Sequence, residues 1–140
     1  KYLYFRQWLL KKTDLLMSIS LPEGAFIPFG GSVSKTCILG VRKKSSLSSY
    51  VRPQHVFLGK AVEIGYELGK KNYKPHNKND FAEFEYMMSE IFQGLRYTSN
   101  KAECGWIAQT MVSSYRIDAN YLMNKINSQL MKQQYGNLNF

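Results

Sequence analysis

The sequence predicts a mixed α/β fold, and two observations carry that prediction. Short apolar runs closed by Pro or Gly alternate with segments whose apolar residues recur at helical spacing. Read in order they give helix, strand, loop, strand, strand, helix, a pattern of one sheet with helices against it. At 140 residues the chain has the length of one domain, or of a small domain with an appendage.

Each element has a local reason. Residues 2–12 place Leu3, Phe5, Trp8 and Leu9 at helical spacing and end in Lys11 and Lys12, where cations suit the carbonyl end. The spacing predicts a helix with one well-buried face. Leu15 to Leu21 is short and apolar and is closed by Pro22, which predicts a buried strand. A loop with two prolines and three glycines follows over residues 22–31 and holds Phe26 and Phe29. Val33 to Val41 predicts a second strand, with Arg42, Lys43 and Lys44 at its solvent end. Ser45 to Arg52 is polar and Ser-rich, which predicts mobility.

Val56 to Ile64 predicts a third strand, and Gly69 to Asn79 a Lys/Asn/Pro loop. Asp80 with Glu83 three residues on predicts a capped helix whose apolar stripe is Phe81, Phe84, Met88, Ile91 and Phe92, stopped by Gly94. Trp106 to Val112 predicts a short strand. Asp118 predicts the cap of a last helix to about Gln134, with Tyr121, Leu122, Ile126 and Leu130 inward. No internal repeat is present.

Composition excludes several classes. Hydrophobic residues make up 44% of the chain and charged residues 21%, a globular balance that rules out wholesale disorder. No apolar run approaches the roughly 20 residues that span a bilayer. The start, Lys1 to Arg6, has neither an initiator Met nor a signal-peptide layout and reads as a segment of a longer chain. Two cysteines, Cys37 and Cys104, are too few for a disulfide framework and point to a reducing, cytoplasmic setting.

Charge is uneven. The formal net charge is +9, yet residues 1–78 hold 14 basic and 4 acidic side chains, whereas residues 79–95 hold 4 acidic and none basic. A basic N-terminal half suits a polyanionic partner, most simply nucleic acid; the alternative is a basic surface that only aids solubility. The acidic block has a structural explanation in the first turn of its helix.

No complete active site can be assembled. His55 and His76 have no Cys or acid at metal-ligand spacing, and no metal site is expected. Gly30-Gly31 precedes a strand, unlike a Rossmann or Walker phosphate loop. Ser18, Ser20, Ser32 and Ser34 lack a His/acid partnership that spacing can support. The stretch shaped for a task is residues 21–44. There an aromatic loop rimmed by Lys35, Arg42, Lys43 and Lys44 suits base stacking with phosphate neutralisation. The alternative is that Phe26 and Phe29 plug the core where a strand ends.

Two blocks carry a family resemblance. The first is Leu21-Pro22-Glu23-Gly24-Ala25-Phe26, a short gap, then Ser32-Val33-Ser34-Lys35-Thr36-Cys37-Ile38-Leu39 with a basic end, led by Arg6, Trp8, Leu9 and Leu10. The second is Val56-Phe57-Leu58, then Glu63-Ile64-Gly65-Tyr66-Glu67-Leu68-Gly69-Lys70, then Asn79-Asp80 before an acidic helix. In this order they resemble the last part of the catalytic domain of adenine-N6 DNA methyltransferases of restriction-modification systems, either type I methylase subunits or fused type II methylase-specificity proteins. Glu67 stands where that family usually has Asp. The resemblance covers residues 1–94, about two-thirds of the chain.

The resemblance implies the antiparallel-edge, C-terminal part of a Rossmann-like methyltransferase sheet, with a small α+β extension. It implies S-adenosylmethionine as cofactor of the full-length protein, bound outside this segment. The cofactor glycines and the (Asn/Asp)-Pro-Pro-(Tyr/Phe) loop are absent here, and the sequence has no Pro-Pro. It implies double-stranded DNA as partner, with restriction and specificity subunits or fused domains, and no membrane. By motif position Phe26 stacks on the extruded target adenine, with Phe29 the second candidate. Lys35, Arg42, Lys43 and Lys44 are expected to meet the DNA backbone, the alternative for Lys35 being a structural lysine.

Residues 95–140 read as a linker and the start of a target-recognition domain, because Tyr115-Arg116-Ile117-Asp118-Ala119-Asn120-Tyr121 resembles the opening of such domains in specificity subunits. The alternative is an ordinary C-terminal helix with Asp118 as cap. For the chain as a whole, the alternative is a non-catalytic nucleic-acid-binding or subunit-docking module.

Overall fold

The computed structural model describes residues 2–90, 94–97 and 101–136. It is mixed α/β, with α1 (Leu3–Lys12), β1 (Thr13–Ser20), β2 (Cys37–Lys43), β3 (His55–Lys60), β4 (Ile64–Tyr66), β5 (Pro75–Asn79), α2 (Asp80–Met88), β6 (Gly94–Tyr97), β7 (Glu103–Ala108) and α3 (Ala119–Gly136). Five strands form one sheet in the order β2-β1-β3-β7-β6, and β4 and β5 form a separate hairpin. Among the described residues only β1 and β3 run parallel; the other pairs of this sheet are antiparallel.

A bulge in β1 decides which face each residue serves. The pairing with β2 slips between Leu15 and Met17, so Leu15 lies opposite Val41 and Met17 opposite Gly40. One extra residue reverses the alternation of side chains about the sheet. Leu15 therefore packs with Val56, Leu58 and Ile107 under α3, while Ile19 and Met17 pack with Phe57 and Cys104 under α2. From α3 come Leu122, Met123 and Ile126; from α2 come Phe84 and Met87. Gly59 is what lets α2 approach: a Cβ there would meet Phe84 Cε2 at 3.0 Å.

Several expectations are corrected. No residue of α1 is buried; Leu9 and Leu10 pack partly on the α3-side core, while Tyr2, Tyr4, Phe5 and Trp8 remain exposed. The second strand begins at Cys37, not Val33. The third expected strand is two, β3 and β4. Much of the expected loop before Asn79 is strand β5, paired back onto β4.

The cap of α2 is Asn79, whose side chain accepts from the Phe81 N–H at 3.0 Å. Asp80 instead turns back beneath the sheet end. Its Oδ2 accepts from the Val62 and Glu63 N–H groups at 2.8 and 2.7 Å. The helix stops at Met88; Ile91 and Phe92 lie outside the described residues. The strand near Trp106 spans Glu103–Ala108 and passes into a 3-10 turn at Gln109–Met111.

Asp118 caps α3 as expected, its Oδ2 accepting from the Tyr121 N–H at 3.1 Å. β7 pairs with β3, and α3 packs on β1 and β3, so elements on both sides of residue 94 share one sheet and core. No helix among the described residues is long and apolar enough to cross a membrane.

Candidate nucleic-acid interface

The aromatic loop leaves β1 at its C-terminal end. Pro22 ends the strand, Gly24 turns the chain at φ +79°, and Ile27–Phe29 form one 3-10 turn closed by Gly30 at φ +80°. The Phe26 carbonyl is the hub, accepting from the Phe29 N–H at 3.0 Å and the Gly31 N–H at 2.8 Å. Gly31 is needed there because a Cβ would lie 2.5 Å from the Cβ of Phe26. The loop then returns to the sheet where the Leu21 N–H donates to the Thr36 carbonyl at 2.9 Å.

The β4–β5 hairpin packs against this loop. The Tyr66 hydroxyl donates to the Ala25 carbonyl at 2.6 Å. Gly24 faces Gly69 so closely that a Cβ on Gly24 would stand 3.3 Å from the Gly69 nitrogen. Phe29, Tyr66 and Tyr73 form a three-ring cluster with centroids 5.3–5.7 Å apart. Phe26 has no ring packed on it among the described residues and is 44% exposed. The two candidate rings thus have different settings: Phe29 belongs to a ring cluster yet is 61% exposed, whereas Phe26 has no aromatic neighbour among the described residues and is the more covered of the two. Neither plugs the core.

Of the four basic candidates, only Lys35 sits at this end of the sheet. It borders a cleft of ≈250 Å³ lined also by Ser20, Thr36, Cys37, Arg116, Asp118 and Asn120. Arg42 and Lys43 pair with Asp14 and Thr13 at the far end of β1. At about 3.3 Å per residue this carries them roughly 20 Å from the aromatic loop.

Two of these residues are also occupied. Arg42 donates to the Val51 carbonyl at 2.7 Å and lies over the Tyr50 ring. Lys44 donates to the Leu10 carbonyl and stands 3.9 Å from the buried carboxylate of Asp14. Antiparallel pairing thus breaks the expected rim of Lys35, Arg42, Lys43 and Lys44 around the loop.

The hairpin that packs on the loop carries basic residues of its own. Lys70, Lys71, Lys74 and Lys78 are exposed, and among the described residues none of them is held in an ion pair. Sequence reading passed over them because a Lys/Asn/Pro segment looks like a solvated loop. The usable signal was the Gly65-Tyr66 turn, whose strand returns at Pro75.

The Tyr115–Tyr121 stretch is anchored to the sheet. Ile117 and Ala119 are buried in the α3-side core, and Asn120 donates to Ser20 Oγ at 2.8 Å. Arg116 pairs with Asp118 at 3.3 Å and lies over the Tyr121 ring. Desolvation first, and the Asp118 carboxylate second, push the Cys37 thiol above the ordinary thiol range. Among the described residues no group of three or more His, Cys, Asp or Glu side chains is placed to hold a metal ion.

No family model matches the chain, and neither does any curated protein or solved structure.

Proposed function

We propose that this chain is the closing part of the catalytic domain of an adenine-N6 DNA methyltransferase of a restriction-modification system, acting on double-stranded DNA. In this reading Phe26 stacks on the extruded adenine. Extrusion costs about a few kcal/mol of lost stacking and pairing, and an aromatic face in the pocket returns part of it. Phe26 is preferred by its motif position, on a loop whose backbone is gathered by hydrogen bonds to the Phe26 carbonyl. Phe29 then buttresses the loop.

The observation that carries the reading is the contact between the two resembling blocks. Ala25 of the first and Tyr66 of the second, 41 residues apart, are joined by a 2.6 Å hydrogen bond. The reading needs the two blocks to lie side by side, and the parallel pairing of β1 with β3 brings them to the same end of the sheet.

S-adenosylmethionine belongs to this reading only for the full-length protein. Neither the cofactor glycines nor a Pro-Pro loop occurs among these residues, so the chain's share of the work is to hold the base and backbone. The coding sequence upstream of Lys1 tests the proposal. An open frame there with an (Asn/Asp)-Pro-Pro-(Tyr/Phe) loop is the expected result. A stop codon or an unrelated domain would overturn it in favour of a non-catalytic binding module.

A further inference from the structure

We infer that the β4–β5 hairpin and Phe29 form a second nucleic-acid contact, a platform for a single, unpaired strand beside the base-stacking loop. The inference deepens the proposed function and rests on the reading that the chain binds DNA, but not on catalysis.

Three observations on one surface support it. Phe29 and Tyr73 expose 61% and 53% of their area, although they pack against each other and against Tyr66. Aromatic rings that keep this much surface in water provide stacking surface for bases of any sequence. Residues 64–79 carry four lysines and one acid, Glu67, and the lysines have no ion-pair partners among the described residues. The hairpin is also held in place. The Glu67 N–H donates to the Lys74 carbonyl at 3.0 Å, Tyr66 is bonded to Ala25, and Gly24 lies against Gly69. Lys70, Lys71 and Lys74 thus lie within three residues of Tyr73 on the same hairpin, a spacing that suits neutralising phosphates on either side of a stacked base.

An acidic peptide would use the charge but leave the open rings without a purpose. A duplex would use the charge but present no base faces. The combination selects an unpaired strand.

The test titrates the full chain with a fluorescein-labelled single-stranded oligonucleotide across a salt series. Lys70→Gln/Lys71→Gln is compared with the charge-matched Lys11→Gln/Lys12→Gln at the far end of the sheet. The expected result is a fall of about 1.4 in the slope of log K against log salt for the hairpin pair only, two phosphate contacts at roughly 0.7 each. Tyr73→Ala is expected to weaken single-strand binding about tenfold while leaving the salt slope unchanged.

Equal slopes for the two lysine pairs would overturn the inference, as would binding of polyglutamate as tight as that of the oligonucleotide. The lysine comparison decides the matter even if Tyr73→Ala fails to fold. Loss of the hairpin effect with duplex binding intact would refute the platform alone and leave the methyltransferase reading standing.

Discussion

The Tyr66 hydroxyl donates a 2.6 Å hydrogen bond to the Ala25 carbonyl and so ties the hairpin to the aromatic loop. Tyr66→Phe keeps the ring in its cluster and removes only this bond. The expected cost is about 1 kcal/mol in urea unfolding. A pH dependence follows as well. Desolvation first, and Tyr73 second, raise the Tyr66 phenol above its ordinary value near 10. The unfolded phenol therefore loses its proton first. The bond's contribution is complete below about pH 10 and is lost as pH rises through the higher folded value. Unfolding followed above pH 9 should steepen less in Tyr66→Phe than in the parent; identical profiles would remove Tyr66 from the account.

Gly31 offers a way to move Phe26 without deleting it. An added Cβ would sit 2.5 Å from the Phe26 Cβ and 2.8 Å from its carbonyl oxygen, so Gly31→Ala must displace the loop. Binding to a duplex with a mismatched adenine should weaken as in Phe26→Ala, with the ring still present. Gly30→Ala is a control for backbone strain alone, since its Cβ would meet nothing within 4 Å although φ is +80°.

Asp80 holds the turn between β3 and β4 to the start of α2. Its carboxylate accepts two backbone N–H bonds at 2.7 and 2.8 Å while 1% exposed. Hydrogen bonds to a charged acceptor contribute about 1.5–3 kcal/mol each, so Asp80→Ala should cost about 3 kcal/mol or more. Asp80→Asn, which keeps one acceptor oxygen, should cost less. Denaturation midpoints check both, and equal losses would place the role of Asp80 elsewhere.

The two thiols should react in a fixed order. Cys104 is fully buried and Cys37 has exposed surface. Alkylation of the folded chain near neutral pH is expected at Cys37 alone, more slowly than free cysteine because its raised pKa leaves little thiolate. Asp118→Asn preserves the helix cap and removes the charge. It should speed labelling only slightly, since desolvation is the larger cause of the shift.

Much of the fold could be read from the chain, and the failures have physical causes. β1 was legible because an apolar run stopped by Pro22 has few alternatives, and α3 because Asp118 caps it. The bulge between Leu15 and Met17 was hidden, since an inserted residue leaves no mark in composition. The β4–β5 hairpin was hidden because backbone pairing, not an apolar pattern, makes Pro75–Asn79 a strand. The same limit misplaced Arg42, Lys43 and Lys44. They lie close to the loop in sequence, but antiparallel pairing returns them to Thr13. Phe26 and Phe29 were both legible as candidates, with Phe26 first by motif position, while the cluster that joins Phe29 to Tyr66 and Tyr73 was not.

The most direct measurement is binding of Phe26→Ala and the parent chain to two duplexes, one fully paired and one with a mismatched, easily extruded adenine. Base stacking contributes about 1–3 kcal/mol by alanine substitution, so the variant should lose about tenfold or more on the mismatched duplex and little on the paired one. An equal loss on both, or none on either, would contradict the stacking role of Phe26.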